Sequence, residues 1–296
     1  MTESVTGLNV SVCLIVRNEQ SRLTDCLESA RRFATELIVC DTGSDDATPE
    51  VAAAAGARVV CAPWRDDFAA ARNVALDACR GDWVLSLDAD EIVAGMPAWL
   101  AVMLAACGTD LDALTVEIDN SSAPDLAAGV HREQKLFRRA ACRWDGRVHE
   151  RLVRRDGLAV RSADLPIGTL RIAHHGYDDI ATARAKGARN ARLAELQLAE
   201  LRSAGAEPEA IAEVALHLGR SQAGLGRADL AVAPLRLAAR DGSWHVRYWA
   251  EQFLAKCATE AVTVSQSPQP VGVGSSGHRD NTRAIASRSA AVTHRP

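Results

Sequence analysis

The chain has 296 residues, of which 48% are hydrophobic, with a formal net charge of −4 and a pI near 6.1. That length suits one medium domain plus an accessory unit, and the charge balance argues against nucleic acid as the main partner. The opening MTESVTGLN lacks the basic and apolar regions of a secretory signal, and apolar runs stop at about seven residues where roughly 20 would span a bilayer, so a cytoplasmic protein without a transmembrane segment is expected.

The first hundred residues alternate strand and helix signals. VSVCLIV (10–16) reads as a buried strand, followed by Leu23, Leu27, Ala30 and Ala34 at helical spacing. ELIVCD is a second strand ending at Asp41, and a TGSDD turn follows. Thr48 is the expected N-cap of the next helix, with Pro49 at its first position and Gly56 beyond its last turn. ARVVC is a third strand, FAAARNVALDAC a helix ended by Gly81, and WVLSLD a fourth strand. This order implies right-handed crossovers and a mostly parallel sheet, whose ligand belongs beyond the carboxyl ends of the strands. Asn18, Glu19, Asp41, Asp88 and Asp90 all fall at that edge.

Residues 110–175 are less regular: ALTVEID and LAVRS look like strands, and KLFRRAACRWDGRVHERLV is basic and aromatic. From Asp178 to about Ala261 the pattern is helical. With Ala212 as position 1 of a 34-residue repeat, Leu218 and Gly219 fall at positions 7 and 8, Ala231 at 20, Leu235 at 24 and Ala238 at 27, with Trp249 at position 4 of the next repeat. Gln222 and Ser243 stand where Tyr and Pro are usual, so the expected unit is tetratricopeptide-like (TPR-like). Residues 262–296, rich in Ser, Gly, Pro and Arg, read as a disordered tail. The eight cysteines show no CxxC spacing; they read as free thiols in a reducing compartment, with Cys13, Cys40 and Cys61 inside apolar runs that read as buried strands.

The stretch VLSLDADE (84–91) drives a buried strand into Asp88, Asp90 and Glu91 and so calls for positive charge. An Asp-x-Asp offers hard oxygen ligands of the kind Mg²⁺ and Mn²⁺ share with a diphosphate. Acidic triplets are also common on loops. Arg72 can equally be a solvated helix residue, and Asp41 a turn cap.

SVCLIVRNE, VCDTGSDDAT and FAAARNVALDACRGDWVLSLDADE, in that order, resemble the family 2 glycosyltransferases of GT-A fold, and PWRDDFAAARN and HHGYDD resemble the bacterial subgroup with a TPR-like helical extension. The resemblance spans roughly residues 9–258. It implies an α/β fold, a GT-A Rossmann-like mostly parallel sheet flanked by helices at residues 1–178, then an all-α TPR-like region at 179–261. It implies a metal-dependent, inverting transfer from a nucleotide-sugar donor, most simply a UDP-sugar. The acceptor would be a peptide (including cysteine sulfur), a glycan such as lipopolysaccharide core or capsule, or a natural product. Asn18 and Glu19 match the segment at the base and ribose, Asp41 the acid at the uracil, and Arg72 an arginine near the nucleotide. Asp88 and Asp90 match the pair for Mg²⁺ or Mn²⁺, Asp90 as the direct ligand and Asp88 nearer the ribose. His174, more than His175, matches a late metal ligand. Glu150 stands where the general base is expected, with His149 replacing the usual preceding acid; Glu150 could instead pair with Arg143, Arg147 or Arg151. The helical region is expected to serve the acceptor, or homodimerisation, and not the donor. A non-catalytic nucleotide-sugar-binding or TPR scaffold is the alternative. A sugar nucleotidyltransferase fits less well, because VRNEQSR lacks the glycines of a triphosphate loop.

Overall fold

The computed structural model describes residues 9–95, 99–121, 129–175 and 180–265. The most continuous apolar runs become the centre of the sheet: β1 (Val10–Val16) and β4 (Trp83–Leu87) are buried on both faces and run parallel, as strands covered on two sides should. β2 (Glu36–Asp41) and β3 (Arg58–Cys61) complete a parallel half in the order β3-β2-β1-β4. Between these strands run α1 (Leu23–Arg31), α2 (Thr48–Ala54) and α3 (Phe68–Ala78). Gly81 enters β4 so close to Ser11 that a methyl group there would sit 2.6 Å from the Ser11 backbone nitrogen.

The second half is mixed. Around it lie β5 (Glu91–Gly95), α4 (Trp99–Ala106), β6 (Ala113–Asp119), β7 (Val130–Arg138), β10 (Ser162–Asp164) and β11 (Arg171–His174). The sheet continues from β4 as β7-β6-β11-β5, with β10 beside β6. β7 is antiparallel to both β4 and β6, and β11 is parallel to β6 but antiparallel to β5. β8 (Cys142–Asp145) and β9 (Arg151–Arg154) form a separate hairpin. The fold is thus α/β with a mostly parallel sheet flanked by helices.

Four helices follow: α5 (Ile180–Ser203), α6 (Pro208–Gly224), α7 (Ala228–Asp241) and α8 (Trp244–Ser265). The repeat positions behave as the spacing demands. Leu218, Ala231, Leu235 and Ala238 are buried, and a methyl group on Gly219 would lie 2.5 Å from Leu235 Cγ, so α6 and α7 meet through the glycine. Trp249 is 43% exposed; no described helix follows α8 to cover it. None of the described helices is long and apolar enough to cross a membrane.

Four expectations are corrected. Thr48 is the first residue of α2 and does not cap it: its own N–H is taken by Asp46 Oδ1 at 3.0 Å, while its hydroxyl oxygen accepts the Glu19 N–H at 2.8 Å. Cys61 is exposed because β3 is the edge strand. The strand expected over LAVRS begins only at Ser162, because Leu158 is exposed and the chain turns there. Helix α8 runs to Ser265, beyond the expected start of the tail at 262; the remainder of that tail, from 266, lies outside the described residues.

Candidate active site

The motif RDDFAAARN sets the site's geometry. Asp67 caps α3 by accepting the Ala70 N–H at 2.8 Å, a capping arrangement that satisfies an otherwise orphan helix donor. One turn on, Asn73 bonds both the backbone N–H and C=O of Trp144 at 2.9 Å, tying α3 to β8. Arg72 beside it is therefore held in place, and it is no solvated helix residue. Its Nε donates to Glu150 Oε1 at 2.5 Å, its Nη1 to Ser86 Oγ at 3.1 Å and its Nη2 to Asp88 Oδ1 at 2.8 Å. Its guanidinium carbon lies 5.2 Å from the centre of the Trp144 ring.

The positive charge demanded by VLSLDADE comes from two side chains. Arg72 is one. The other is Lys135 on β7, which sequence reasoning missed: its ammonium donates to both oxygens of Glu91, at 2.6 and 2.8 Å, and lies 3.3 Å from Asp88 Oδ2. Glu91 and Lys135 are both buried, and the second Glu91 oxygen also accepts the Asp88 N–H at 2.8 Å. Desolvation alone would raise the Asp88 pKa, but Lys135 and Arg72 outweigh it and hold the carboxyl well below the usual range. Burial likewise works against the Lys135 and Arg72 cations, and the surrounding carboxylates reverse it in both. Glu91, the most enclosed acid, is pushed up by desolvation despite Lys135.

These groups line a cavity of about 490 Å³, with Arg72, Asp88, Lys135, Trp144, His149 and Glu150 in its wall. Glu150 ends a loop whose backbone needs two positive φ angles, at Gly146 (100°) and His149 (52°). The helical region supports this loop from behind. Gln197 Oε1 accepts the N–H of Arg147 at 2.9 Å and of Val148 at 3.3 Å, Val148 is buried among helical side chains, and His149 stacks on His217 of α6 with ring centres 4.0 Å apart. The arginines expected to compete for Glu150 are otherwise engaged where the structure shows their partners: Arg147 pairs with Glu200 and Arg151 with Glu213. Glu150 belongs to Arg72.

Asp90 follows β4, and His174 ends β11. The register of β11 against β5 sets His174 opposite Glu91, and the His175 N–H donates to the Asp90 carbonyl at 2.9 Å. The His174 imidazole thereby reaches Asp90, with Nε2 3.5 Å from Oδ2. Its Nδ1 is 2.8 Å from Asn120 Oδ1, which places a proton on Nδ1, and the hydrogen bond and negative charge of Asp90 raise the imidazole's pKa. A divalent cation held between Nε2 and the carboxylate would take the place of the Nε2 proton. An outer hydrogen bond of this kind also orients metal-binding histidines. Among the described residues no three His, Cys, Asp or Glu side chains are arranged to hold a metal by themselves. The donor set fits Mg²⁺ or Mn²⁺ only as part of a coordination shell completed by substrate oxygens and water, which is how Mg²⁺ commonly binds. Asp88 is a different matter: both its oxygens face cations, so the expected pairing of Asp88 with Asp90 as joint ligands is not what this arrangement offers.

At the ends of β1 and β2 the expected nucleotide residues meet one another. The Asp41 carboxylate accepts the N–H groups of Gly43 and Ser44 at 3.2 Å and the Ser44 hydroxyl at 2.5 Å, so it acts as a turn cap. The Asn18 N–H donates to Ser44 Oγ, and Asn18 Oδ1 accepts the Asp45 N–H. The Glu19 N–H is held by Thr48. Two cavities of about 340 and 180 Å³ open there, sharing Arg17, Thr42 and Trp64.

Residues 11–152 match the model of the family described as Glycosyl transferase family 2. That segment runs from β1 into β9 and carries every candidate site residue except His174. A TPR repeat-containing protein of Synechococcus elongatus is 42% identical over 142 residues, 48% of this chain and 34% of the relative. An uncharacterized glycosyltransferase of Rickettsia bellii is 36% identical over 91 residues, 31% of this chain and 30% of the relative. The matched segments span about a third of the length of these relatives. Glucosyl-3-phosphoglycerate synthase from Mycobacterium tuberculosis, solved with Mn²⁺, UDP and phosphoglyceric acid, is 29% identical over 40% of this chain and 46% of its own, with a TM-score of 0.33, an overlap too partial to bear on this chain's function.

Proposed function

We propose that the chain transfers a sugar from a nucleoside-diphosphate sugar, most simply a UDP-sugar, to an acceptor lying in the 490 Å³ cavity. The observation that carries this reading is the convergence of Glu150, Arg72 and Asp88 on one cavity wall, from three elements far apart in sequence. Glu150 keeps one carboxylate oxygen on Arg72, and its second takes no hydrogen bond among the described residues. That oxygen would accept the proton of an acceptor hydroxyl or thiol as it attacks the anomeric carbon. The bond from that carbon to the diphosphate oxygen breaks as the new one forms, and the nucleoside diphosphate leaves with the electron pair. A single displacement of this kind inverts the anomeric centre. Asp90 and His174 would hold a Mg²⁺ or Mn²⁺ ion, which when bound neutralises the charge growing on the leaving group. Asp88 serves by fixing Arg72 and Lys135. Asn18, Glu19 and Asp41 shape the loops around the donor's base and ribose.

Trp144 gives the cavity an aromatic wall, and Glu133 and Arg151 give it polar ones; this mixture suits a sugar hydroxyl better than an apolar chain. The experiment is nucleoside-diphosphate release from a panel of nucleotide sugars, with and without EDTA. One donor should be turned over preferentially, and EDTA should stop it. No release from any donor, with or without added acceptor extracts, would favour the scaffold alternative.

A further inference from the structure

We propose that Arg189, on helix α5 of the helical region, is a phosphate-binding residue of the donor pocket. This rests on the glycosyltransferase reading and extends it: the helical region takes part in donor binding, against the expectation that it serves only the acceptor or dimerisation.

Arg189 lines the 180 Å³ cavity at the ends of β1 and β2 together with Arg17, Glu19, Thr42, Trp64 and Phe68. Its guanidinium carbon lies 4.9 Å from the centre of the Phe68 ring, and Phe68 packs edge-on against Trp64 at 4.8 Å. Stacking uses the face of the guanidinium and leaves its N–H edge free to meet an anion in the plane. Its hydrogen bonds among the described residues are two long ones, 3.4 Å each, to the amide oxygen of its own neighbour Asn190. No carboxylate of the described residues lies within ion-pairing distance of it, and the same holds for Arg17 across the pocket. Desolvation lowers the Arg189 pKa, with only Glu150 opposing. An exposed cation on the wall of a cavity, with its face on an aromatic ring and no carboxylate partner among the described residues, is open to an arriving anion.

The adjoining cavity cannot supply that charge. Arg72 and Lys135 are already matched by Asp88, Glu91 and Glu150, three carboxylates to two cations. Among the described residues lining these cavities, Arg17 and Arg189 are the cations with no carboxylate within ion-pairing distance. Phe68 begins the helix that bears Arg72 one turn later, so a donor whose base lies by Trp64 would run its diphosphate past Arg189 toward Asp90 and Glu150.

The test uses the full chain with Mg²⁺ present, and calorimetry with UDP, GDP, ADP, CDP and dTDP to find the preferred diphosphate. The matching nucleoside is measured by competition. Arg189→Met keeps the stem on Phe68 and removes the charge. It should weaken the diphosphate by about 10- to 100-fold, the worth of one charge-assisted hydrogen bond, and leave the nucleoside within about 2-fold, while Arg189→Lys restores part of the loss. The salt dependence of diphosphate binding should also flatten in Arg189→Met. Unchanged diphosphate affinity overturns the inference, and so does an equal loss for nucleoside and diphosphate, which would mean packing alone. Failure of the unmodified protein to bind any of the five diphosphates would instead strike the donor reading itself, and this inference with it.

Discussion

The molecule buries ionisable groups on either side of Glu150, and it does so in opposite ways. On the sheet side, Asp88, Glu91, Lys135 and Arg72 each face an opposite charge at 2.6 to 3.3 Å. On the helical side, His149 and His217 stack at 4.0 Å with no carboxylate between them, and Nδ1 of His217 is buried without a hydrogen-bond partner. The first arrangement tolerates charge by matching it, whereas the second stays intact only while the rings remain neutral. Glu150 sits between them, held in front by an ion pair and supported behind by a loop packed on α5 and α6. The comparison teaches that the helical region is part of the site's construction.

Breaking the matched side should cost most. Lys135→Met leaves Glu91 and Asp88 short of a buried cation and should destabilise the protein by about 3–5 kcal/mol in urea or guanidinium unfolding. Adding Glu91→Leu should recover much of that loss, since the buried carboxylate is then gone too. A cost under about 1 kcal/mol for Lys135→Met would show that the cluster is more hydrated than its burial implies.

The neutral side is sharpened by pH. Burial, with help from His149 and Arg220, lowers the pKa of His217 from 6.5 to about 3. His149 is lowered in the same way by burial and Arg220, with Glu150 opposing. The unfolded chain therefore takes up protons near pH 6.5 that the folded chain refuses, so stability is full above that value and declines as pH falls toward 3. His217 alone should account for about 2 kcal/mol between pH 7.5 and pH 5. Unfolding midpoints at the two pH values, in the natural protein and in His217→Phe, measure it. The variant should show a shallower decline; an identical one would place the acid sensitivity elsewhere.

The sequence makes the parallel half legible because β1, β2 and β4 are buried on both faces, and such strands read as unbroken apolar runs. Their carboxyl ends then point to Asp41, Asp88 and Asp90 without any knowledge of the structure. The mixed half hides itself. VHREQKLFR carries four charged residues and a histidine, yet it forms β7 at the centre of the sheet between β4 and β6. Lys135 is invisible for the same reason: a lysine among arginines and glutamates reads as surface, and only the pairing of β7 with β4 brings it to Asp88 and Glu91. Arg72 and Glu150 were legible separately, but the bond between them spans 78 positions and has no local signature. His217 and Arg189 belong to helices whose apolar spacing announces a packed repeat and says nothing of which polar side chains face the neighbouring domain.

The central claim is that Glu150 takes the acceptor's proton in the cavity it shares with Arg72 and Asp88. Glu150→Gln tests it most directly, because the amide oxygen can still accept the Arg72 N–H while the basic oxygen is lost. With a hydroxyl acceptor and the preferred nucleotide sugar, kcat should fall by about 10² or more, while donor Kd by calorimetry stays within about 2-fold. A thiol acceptor, partly ionised already near neutral pH, would show a smaller fall. Turnover of the hydroxyl acceptor near the unmodified rate would contradict the account and leave Glu150 as a structural partner of Arg72 alone.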